Sequence, residues 1–276
     1  MDSLEVAVVQ TTSVDDVDSN MMMLESLLEA IPQSVRLICL PENALYMRLV
    51  EGEAVSSIPL SHSAFERLAQ IAQQRNAFLH VGSAPILLGD GYLYNSSVII
   101  SPIGEIKPSY QKMHLFDIQL EGQAALRESD NFRHGQKPTT FEVDGWKIAE
   151  SICYDIRFSE LYAHYGRQEV DVILIPAAFL VKTGQAHWEV LQRARAIENQ
   201  CYVLAAAQCG IHIGHRGGVR ETYGHSMIID PWGQTLEVRP EGVGVMIATL
   251  RKDAIHRVRK QIPMKFHRRI PIAPLK

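Results

Sequence analysis

The chain has few cysteines, and their arrangement fits neither a disulfide scaffold nor a structural zinc site. Its 276 residues contain four cysteines without a CxxC pair, and no histidine pair stands in an HExxH context. Disulfide frameworks belong to small, cysteine-dense secreted domains, so we expect reduced thiols and no metal site here. The candidates for a reactive thiol are Cys39, Cys153, Cys201 and Cys209.

Long apolar runs and an excess of charge are also missing. No stretch approaches the roughly 18 apolar residues of a membrane span, and the first ten residues lack the basic region of a signal peptide. The net charge is −4 and the pI is near 6.3, so no general field attracts nucleic acid or an anionic membrane. We therefore expect a cytoplasmic protein whose partner is a small molecule.

The composition is that of a folded α/β protein. Hydrophobic residues make up 46% and charged residues 21%, which are near the averages for domains with a sizeable core. Short apolar strands alternate with amphipathic helices, and no linker or low-complexity segment separates them. This pattern favours helices packed on sheet within a single domain over residues 1–276.

Two segments of the chain share one pattern. VRLICLPENA (35–44) and VDVILIPAAF (170–179) each place a Val-led apolar strand before a proline at the same offset. Because proline cannot continue a central strand, both strands should end there. The parallel predicts two similarly built halves, with Glu42 and Cys153 leaving the carboxyl ends of strands, where ligands bind in α/β sheets. Helices are predicted over 19–30, 63–75, 159–165 and 187–200, and a hairpin turn at Asp144-Gly145.

Cys153 stands in SICYDIRFSE, where an apolar strand gives way to polar residues and then to a helix start. Such a turn can project a nucleophile and leave the next backbone N–H, that of Tyr154, free to bind an oxyanion. A buried core cysteine is the alternative, since most free cysteines are of that kind. Position alone does not decide between the two.

A catalytic thiol needs a base or a cation, because its ordinary pKa of about 8.5 leaves little thiolate at neutral pH. Glu42 follows the strand-ending proline in LPENALY, and Lys112 follows a strand-like stretch in YQKMHLFD. Both are candidate partners, although a glutamate at a strand mouth is more often a solvated loop charge. The histidines of a papain-like alternative, none with distinguishing context, are His114, His164, His187 and His225.

LPEN around Glu42, YQKMHLFD around Lys112 and ICYDIRFSEL around Cys153 resemble the three catalytic segments of the nitrilase, or carbon-nitrogen hydrolase, superfamily. The similarity continues through TGQAHWEVLQRARAIENQCYVLAAAQCG and YGHSMIIDPWG to the HRR tail, and so covers nearly the whole chain. It is closest to the branch that contains deaminated glutathione amidase and omega-amidase. LPENALYMR departs from that branch after Asn43, which leaves the substrate open.

The resemblance implies a four-layer α-β-β-α sandwich that assembles as a homodimer or higher homo-oligomer, without a metal or organic cofactor. It also implies a Glu-Lys-Cys triad of Glu42, Lys112 and Cys153. Family members carry a further glutamate between the lysine and cysteine segments. Glu128 in LRESDNFRHG matches its context better than Glu121 does.

The implied reaction is hydrolysis of the amide bond of a small carboxylated substrate through a thioester. Glu42 would be the general base, while Lys112 and the Tyr154 N–H would stabilise the oxyanion. Arg157 is a candidate for binding the substrate carboxylate, and an ion pair with Glu160 or Asp155 is its alternative.

The helix after residue 186 supplies further candidates. His187 and Trp188 fit a pocket wall, and a core contact at the start of the helix explains them equally well. Arg193 and Arg195 are expected in pairs on the helix surface or at a dimer interface.

Two other functions stay open on the sequence. Hydrolysis of a nitrile or of an N-carbamoyl amino acid would use the same triad. A non-catalytic binding or scaffold protein could keep the sandwich, but the presence of Glu42, Lys112 and Cys153 together argues against it.

Overall fold

The computed structural model describes residues 2–50, 52–119 and 125–270. Its first strands are β1 (Ser3–Gln10), β2 (Leu37–Cys39), β3 (Phe78–Leu87), β4 (Leu93–Ile100) and β5 (Ile106–Gln111). A short pair follows, β6 (Asp117–Ile118) and β7 (Leu126–Arg127). The later strands are β8 (Thr140–Val143), β9 (Trp146–Glu150), β10 (Val172–Leu174), β11 (Tyr202–Ala205), β12 (Cys209–Ile213), β13 (Val219–Tyr223), β14 (Ser226–Ile229), β15 (Thr235–Arg239) and β16 (Gly244–Arg251).

The helices lie mostly between these strands. They are α1 (Val17–Glu29), α2 (Ser63–Arg75), α3 (Ser159–Arg167), α4 (Val181–Asn199), α5 (Lys252–Gln261) and α6 (Met264–His267), with 3-10 turns at Glu128–Asp130 and Cys153–Arg157. In the part of the chain that the structure describes, no helix is long and apolar enough to cross a membrane.

The two large sheets have the same succession of parallel and antiparallel neighbours when the second is read in reverse. One runs β16-β1-β2-β3-β4-β5 and the other β15-β14-β11-β10-β9-β8, each with six strands. Each sheet contains three neighbouring parallel strands, and the middle strand is the one that a proline follows. In the first sheet β2 lies between β1 and β3, and in the second β10 lies between β9 and β11. The prediction of two similarly built halves is confirmed.

Alternation of side chains along the strands creates four layers. In β1, Leu4, Val6 and Val8 belong to the core between the two sheets, while Ala7 and Val9 belong to the core under α1 and α2. A third core joins the second sheet to α3 and α4. The order helix, sheet, sheet, helix is the predicted α-β-β-α sandwich.

Most predicted helix bounds agree with the structure, but α4 begins at Val181 and not at His187. Gly184 lies within this first turn, and glycine has a low helix propensity. A Cβ atom at Gly184 would come within 2.3 Å of the Tyr223 ring, so the helix needs a glycine to pack there. Tertiary packing thus extends the helix through a residue that usually weakens one.

A close approach between the halves brings the two prolines together. A Cβ atom at Gly82 of β3 would lie 2.2 Å from the Leu40 carbonyl oxygen and 2.5 Å from Cβ of Pro176. Only a glycine leaves room for this contact. The residues that follow Pro41 and Pro176 therefore meet at one edge of the sandwich.

Candidate active site

Glu42 follows Pro41 at the edge of the sandwich where the two halves meet, and it is buried, with 3% of its surface exposed. Its Oε1 accepts hydrogen bonds from Lys112 Nζ at 2.9 Å and from Asn95 Nδ2 at 3.1 Å. Its Oε2 accepts one from the Ala178 backbone N–H at 2.9 Å. Three donors from three segments thus fix the carboxylate, and a solvated loop charge is excluded.

Lys112 follows β5 and joins two carboxylates. Its Nζ lies 2.9 Å from Glu42 Oε1 and 2.8 Å from Glu128 Oε2, and its side chain is 2% exposed. Glu128 Oε2 also accepts the Phe116 N–H, and Glu128 Oε1 accepts from Asn95 Nδ2 at 2.8 Å. The structure therefore brings Glu128 to Lys112, as expected, whereas Glu121 lies outside the described residues.

Asn95 and the Ala178 N–H were not predicted. Asn95 lies in β4, in the run LYNSSVII, which has the alternation of an ordinary strand. Its amide bridges Glu42 and Glu128. Ala178 acts through its backbone and so leaves no side-chain signal. The repeated strand-proline pattern was the available hint, because it places Ala178 and Glu42 after equivalent strands.

Cys153 begins the 3-10 turn after β9 with a left-handed backbone, φ 48°. Its N–H donates to the Pro176 carbonyl oxygen at 2.8 Å. Within the described residues, the Tyr154 N–H takes part in no hydrogen bond, so it remains available to a ligand. The strained turn and the free donor match the predicted nucleophile elbow.

Asp155 and Arg195 hold this turn from two sides. Asp155 accepts hydrogen bonds from Tyr110 Oη at 2.7 Å, from the Ile152 N–H, and from the N–H and Nδ1 of His114. Arg195 donates through Nε and Nη2 to the Ile156 carbonyl oxygen. Arg195 forms an ion pair, with Glu198 Oε2 at 2.8 Å, but its expected position on the surface is wrong. It is 4% exposed, because α4 packs this face against the nucleophile turn.

Burial and pairing set the charges of the three central groups. Burial favours a neutral Glu42, but the charge and hydrogen bond of Lys112 and a hydrogen bond from Cys153 outweigh it, so the pKa of Glu42 is lowered. Burial likewise opposes the ammonium, yet the charges of Glu128 and Glu42 raise the pKa of Lys112 well above its usual range. Burial, then the charge of Glu42, raises the pKa of the Cys153 thiol. At neutral pH the site holds a carboxylate, an ammonium and a thiol.

These groups open into a cavity with about 900 Å³ of empty space, part of which is continuous with solvent. Cys153 lines it, whereas Cys39, Cys201 and Cys209 do not, and no histidine of the described residues does. Apolar walls come from Phe116, Leu126, Phe132, Phe179 and Leu180.

Arg157 lines the cavity, and among the described residues it forms no ion pair with Glu160 or Asp155. Its Nη1 donates to His187 Nδ1 at 3.1 Å, and its guanidinium lies over the rings of Tyr154 and Phe179. His187 is exposed outside the cavity wall and supports Arg157 from behind.

Trp188 is 1% exposed and belongs to the core. Its ring centroid lies 4.9 Å from that of Phe179, and its indole donates to the His225 carbonyl oxygen. The wall position predicted for Trp188 is thus held by Phe179, with Trp188 packed behind it. In the described ranges no group of three or more acidic, histidine or cysteine side chains could hold a metal ion.

Comparison with known proteins covers almost the whole chain. A sequence model of the family described as carbon-nitrogen hydrolase matches residues 5–260. Deaminated glutathione amidase from Synechocystis sp. (strain PCC 6803 / GT-S) is 39% identical over 268 residues, covering 95% of this chain and 97% of that protein. Deaminated glutathione amidase from Bos taurus is 38% identical over 271 residues, covering 96% and 81% respectively.

A solved structure shows the same similarity. The C. elegans NitFhit protein superposes with a TM-score of 0.86 at 33% sequence identity. The match covers 98% of this chain and 66% of NitFhit, so this chain spans about two thirds of that protein. The matched region includes the strands and turns that carry Glu42, Lys112 and Cys153.

Proposed function

The chain belongs to the carbon-nitrogen hydrolase family, and we propose that it is a cysteine-dependent amidase acting on a small carboxylated amide of the deaminated glutathione type. The observation that carries the proposal is the buried ion pair of Glu42 and Lys112 in the lining of the same cavity as the buried Cys153 thiol. These residues supply a base, a cation and a nucleophile, which are the groups that amide hydrolysis requires.

The first half-reaction forms a thioester. Glu42 takes the thiol proton as Cys153 Sγ attacks the amide carbonyl carbon. The lowered pKa of Glu42 keeps it ionised and able to accept that proton. The same proton then passes to the amide nitrogen, the C–N bond breaks, and ammonia or an amine leaves. The acyl group remains on Cys153 as a thioester.

The second half-reaction releases the acid. Glu42 removes a proton from a water molecule, whose oxygen attacks the thioester carbonyl. The C–S bond breaks and the proton returns to the sulfur. Both half-reactions pass through an oxyanion, which the Lys112 ammonium and the free Tyr154 N–H would stabilise. Glu128 and Asn95 hold Lys112 and Glu42 in place for these steps.

Arg157 supports the choice of a carboxylated substrate. Its guanidinium lines the cavity with a histidine, and not a carboxylate, as its partner, so it can still bind an anion in two-point geometry. The cavity is also continuous with solvent, so a carboxylate away from the amide need not be fully enclosed.

A substrate panel on the purified protein tests the proposed function. It should contain deaminated glutathione, a 2-oxo omega-amide, a nitrile and an N-carbamoyl amino acid, with release of amine or ammonia as the readout. We expect the two carboxylated amides to be hydrolysed fastest, and iodoacetamide to abolish the reaction. Faster turnover of the nitrile or the carbamoyl compound would overturn the proposal.

We also propose a homodimer in the cytoplasm. Val190 and Ile197 of α4 are 63% and 46% exposed, and Trp232, which precedes the Gly233 that Ile197 approaches, is 56% exposed. Large apolar side chains exposed in one region are typical of an interface between subunits. The four free, buried cysteines suit a reducing compartment. Light scattering of the wild type and of Val190→Glu tests the dimer, and a monomeric wild type would exclude it.

A further inference from the structure

Arg220 of β13 is a cation of the cavity for which the proposed mechanism has no use. It is half-buried and lines the cavity together with Glu42 and Tyr46. Within residues 2–50, 52–119 and 125–270, its guanidinium has no ion pair and no side-chain hydrogen bond. A guanidinium at a cavity wall whose donors are not used within the protein can bind an anionic ligand there.

The hairpin of β12 and β13 fixes the backbone at Arg220. Arg220 is opposite His212 in the ladder, and the His212 ring contacts the Ser13 carbonyl oxygen at 2.7 Å and Thr222 Oγ1 at 2.8 Å. Burial lowers the pKa of His212 to about 4, so the ring is neutral and can donate to one oxygen while accepting from the other.

The same hairpin is tied to the catalytic base. Gln208, next to β12, donates to the Glu42 carbonyl oxygen at 2.9 Å and to Ser13 Oγ at 2.9 Å. The backbone that carries Arg220 is therefore fixed relative to Glu42. Arg220 can take part in substrate selection without a loop movement.

The side chains that line the cavity carry more positive than negative charges. Five cationic side chains line it but only two carboxylates, Glu42 and Glu128, and both carboxylates are bound by Lys112. The remaining cations are arginines, whose planar donors suit carboxylates. They are Arg48, Arg127, Arg157 and Arg220.

Arg157 and Arg220 belong to different walls. Arg157 packs on Tyr154 and Phe179, beside the nucleophile. Arg220 belongs to the hairpin, which packs on the loop after Glu42, because a Cβ atom at Gly218 would lie 2.4 Å from the Leu49 carbonyl oxygen. One carboxylate held by Arg157 would leave the donors of Arg220 free for a second one.

We infer that Arg220 binds a second carboxylate of the substrate, so that the preferred substrate is an amide with two separate carboxylates. This inference rests on the proposed function. Binding would be charge-assisted and two-point, and would place the amide between the two arginines, over Cys153. Arg220 is thus a specificity-determining residue.

A competing role for Arg220 is electrostatic. Its positive charge is one of those that lower the pKa of Glu42. If that were its only role, Arg220→Ala would shift the acid limb of the pH profile and weaken all amides by the same factor. Selective loss of charged substrates is the result that only direct binding gives.

The test compares kcat/KM for neutral butyramide, singly charged succinamate and a doubly charged N-succinylglycine, in the wild type, Arg220→Ala and Arg220→Lys. We expect Arg220→Ala to lose roughly 30-fold or more on the doubly charged amide and less than about threefold on butyramide, mainly through KM. The lysine variant should recover only part of the loss. Equal losses on all three substrates would overturn the inference.

Two controls complete the experiment. Arg216 lies in the same hairpin but outside the cavity, paired with Glu53 and Asp15, so Arg216→Ala should leave the ratio of charged to neutral kcat/KM unchanged. In a double-mutant cycle with Arg157→Ala, the losses on the doubly charged amide should add, because the two arginines bind different carboxylates. Wild-type protein that hydrolyses none of the amides would instead refute the proposed function.

Discussion

The two halves of the sandwich share a succession of parallel and antiparallel strands but contribute different chemistry to the site. After β2 and Pro41 the chain presents the Glu42 carboxylate, whereas after β10 and Pro176 it presents the Ala178 N–H, which binds that carboxylate. The first half also supplies Lys112. The second half supplies the Cys153 thiol. The first half of the sandwich therefore supplies the charged side chains of the site, and the second half supplies the nucleophile and the backbone donors.

This division means that substitutions in the two halves should fail in different ways. The charged groups of the first half stabilise one another, so removing one changes the protonation of the rest. The thiol of the second half is neutral at rest, because burial and the charge of Glu42 raise its pKa. Substitutions around it in the second half should therefore act mainly through its position.

Glu42→Gln should abolish most turnover, because the amide cannot take the thiol proton. We expect kcat to fall by about 10³- to 10⁴-fold, near the upper end of what general base catalysis contributes. The fold should survive, since the amide keeps the shape of the side chain. Steady-state assays measure kcat, and circular dichroism checks the fold. A fall in kcat of less than tenfold would show that Glu42 is not the general base.

Lys112→Met should harm both activity and stability. The loss of the cation leaves Glu42 and Glu128 as two buried carboxylates, at a cost of about 3 to 5 kcal/mol unless one takes up a proton. The paired variant Lys112→Met with Glu128→Gln should regain much of the melting temperature but little activity. Recovery of activity in the paired variant would show that Lys112 is needed only for folding.

Asp155→Asn tests the junction between the halves, since Asp155 binds Tyr110 and His114 of the first and Ile152 of the second. The side-chain nitrogen of asparagine donates hydrogen bonds and accepts none, so some of these contacts would be lost. A displaced nucleophile turn should lower kcat by about 100-fold with little change in KM. Asp144→Asn is the matched control, because Asp144 pairs with Arg36 away from the cavity. Similar kcat losses in both would indicate a general stability effect.

The pH profile of the wild type should be nearly flat. The base form of Glu42 exists above its pKa, which lies below the ordinary 4.5, and the ammonium of Lys112 exists below its pKa, which lies above 10.5. Thus kcat/KM should change little between about pH 5 and pH 10. Glu128→Gln removes the largest influence that raises the pKa of Lys112, so an alkaline limb should move to lower pH. An unmoved limb would contradict the assigned coupling.

The sequence predicted the side chains of the site better than their supports. Glu42, Lys112 and Cys153 each stand at an abrupt strand end, which made them candidates, and the resemblance of their segments to the nitrilase superfamily then implied the triad. Asn95 has no such signal, because only the packing of β4 beside Glu42 turns an ordinary strand residue into a bridge. Backbone donors such as the Ala178 N–H appear only once the two halves are in contact.

The buried face of α4 also depends on contacts that the sequence does not reveal. Trp188, Gln192, Arg195 and Asn199 recur at helical spacing and form a buried stripe, a pattern that was available in the sequence. The charge of Arg195 suggested a surface position instead. Its burial depends on the Ile156 carbonyl oxygen, an acceptor supplied by a turn 39 residues earlier in the chain.

The most direct test of the central claim is to find the acyl group on Cys153. Wild-type protein mixed with a carboxylated amide, acid-quenched within milliseconds and digested, should yield a Cys153 peptide heavier by the acyl mass, and Cys153→Ala should yield none. Cys39, Cys201 and Cys209 are buried away from the cavity and should stay unmodified. Acyl mass on one of those three, or full turnover by Cys153→Ala, would contradict the account.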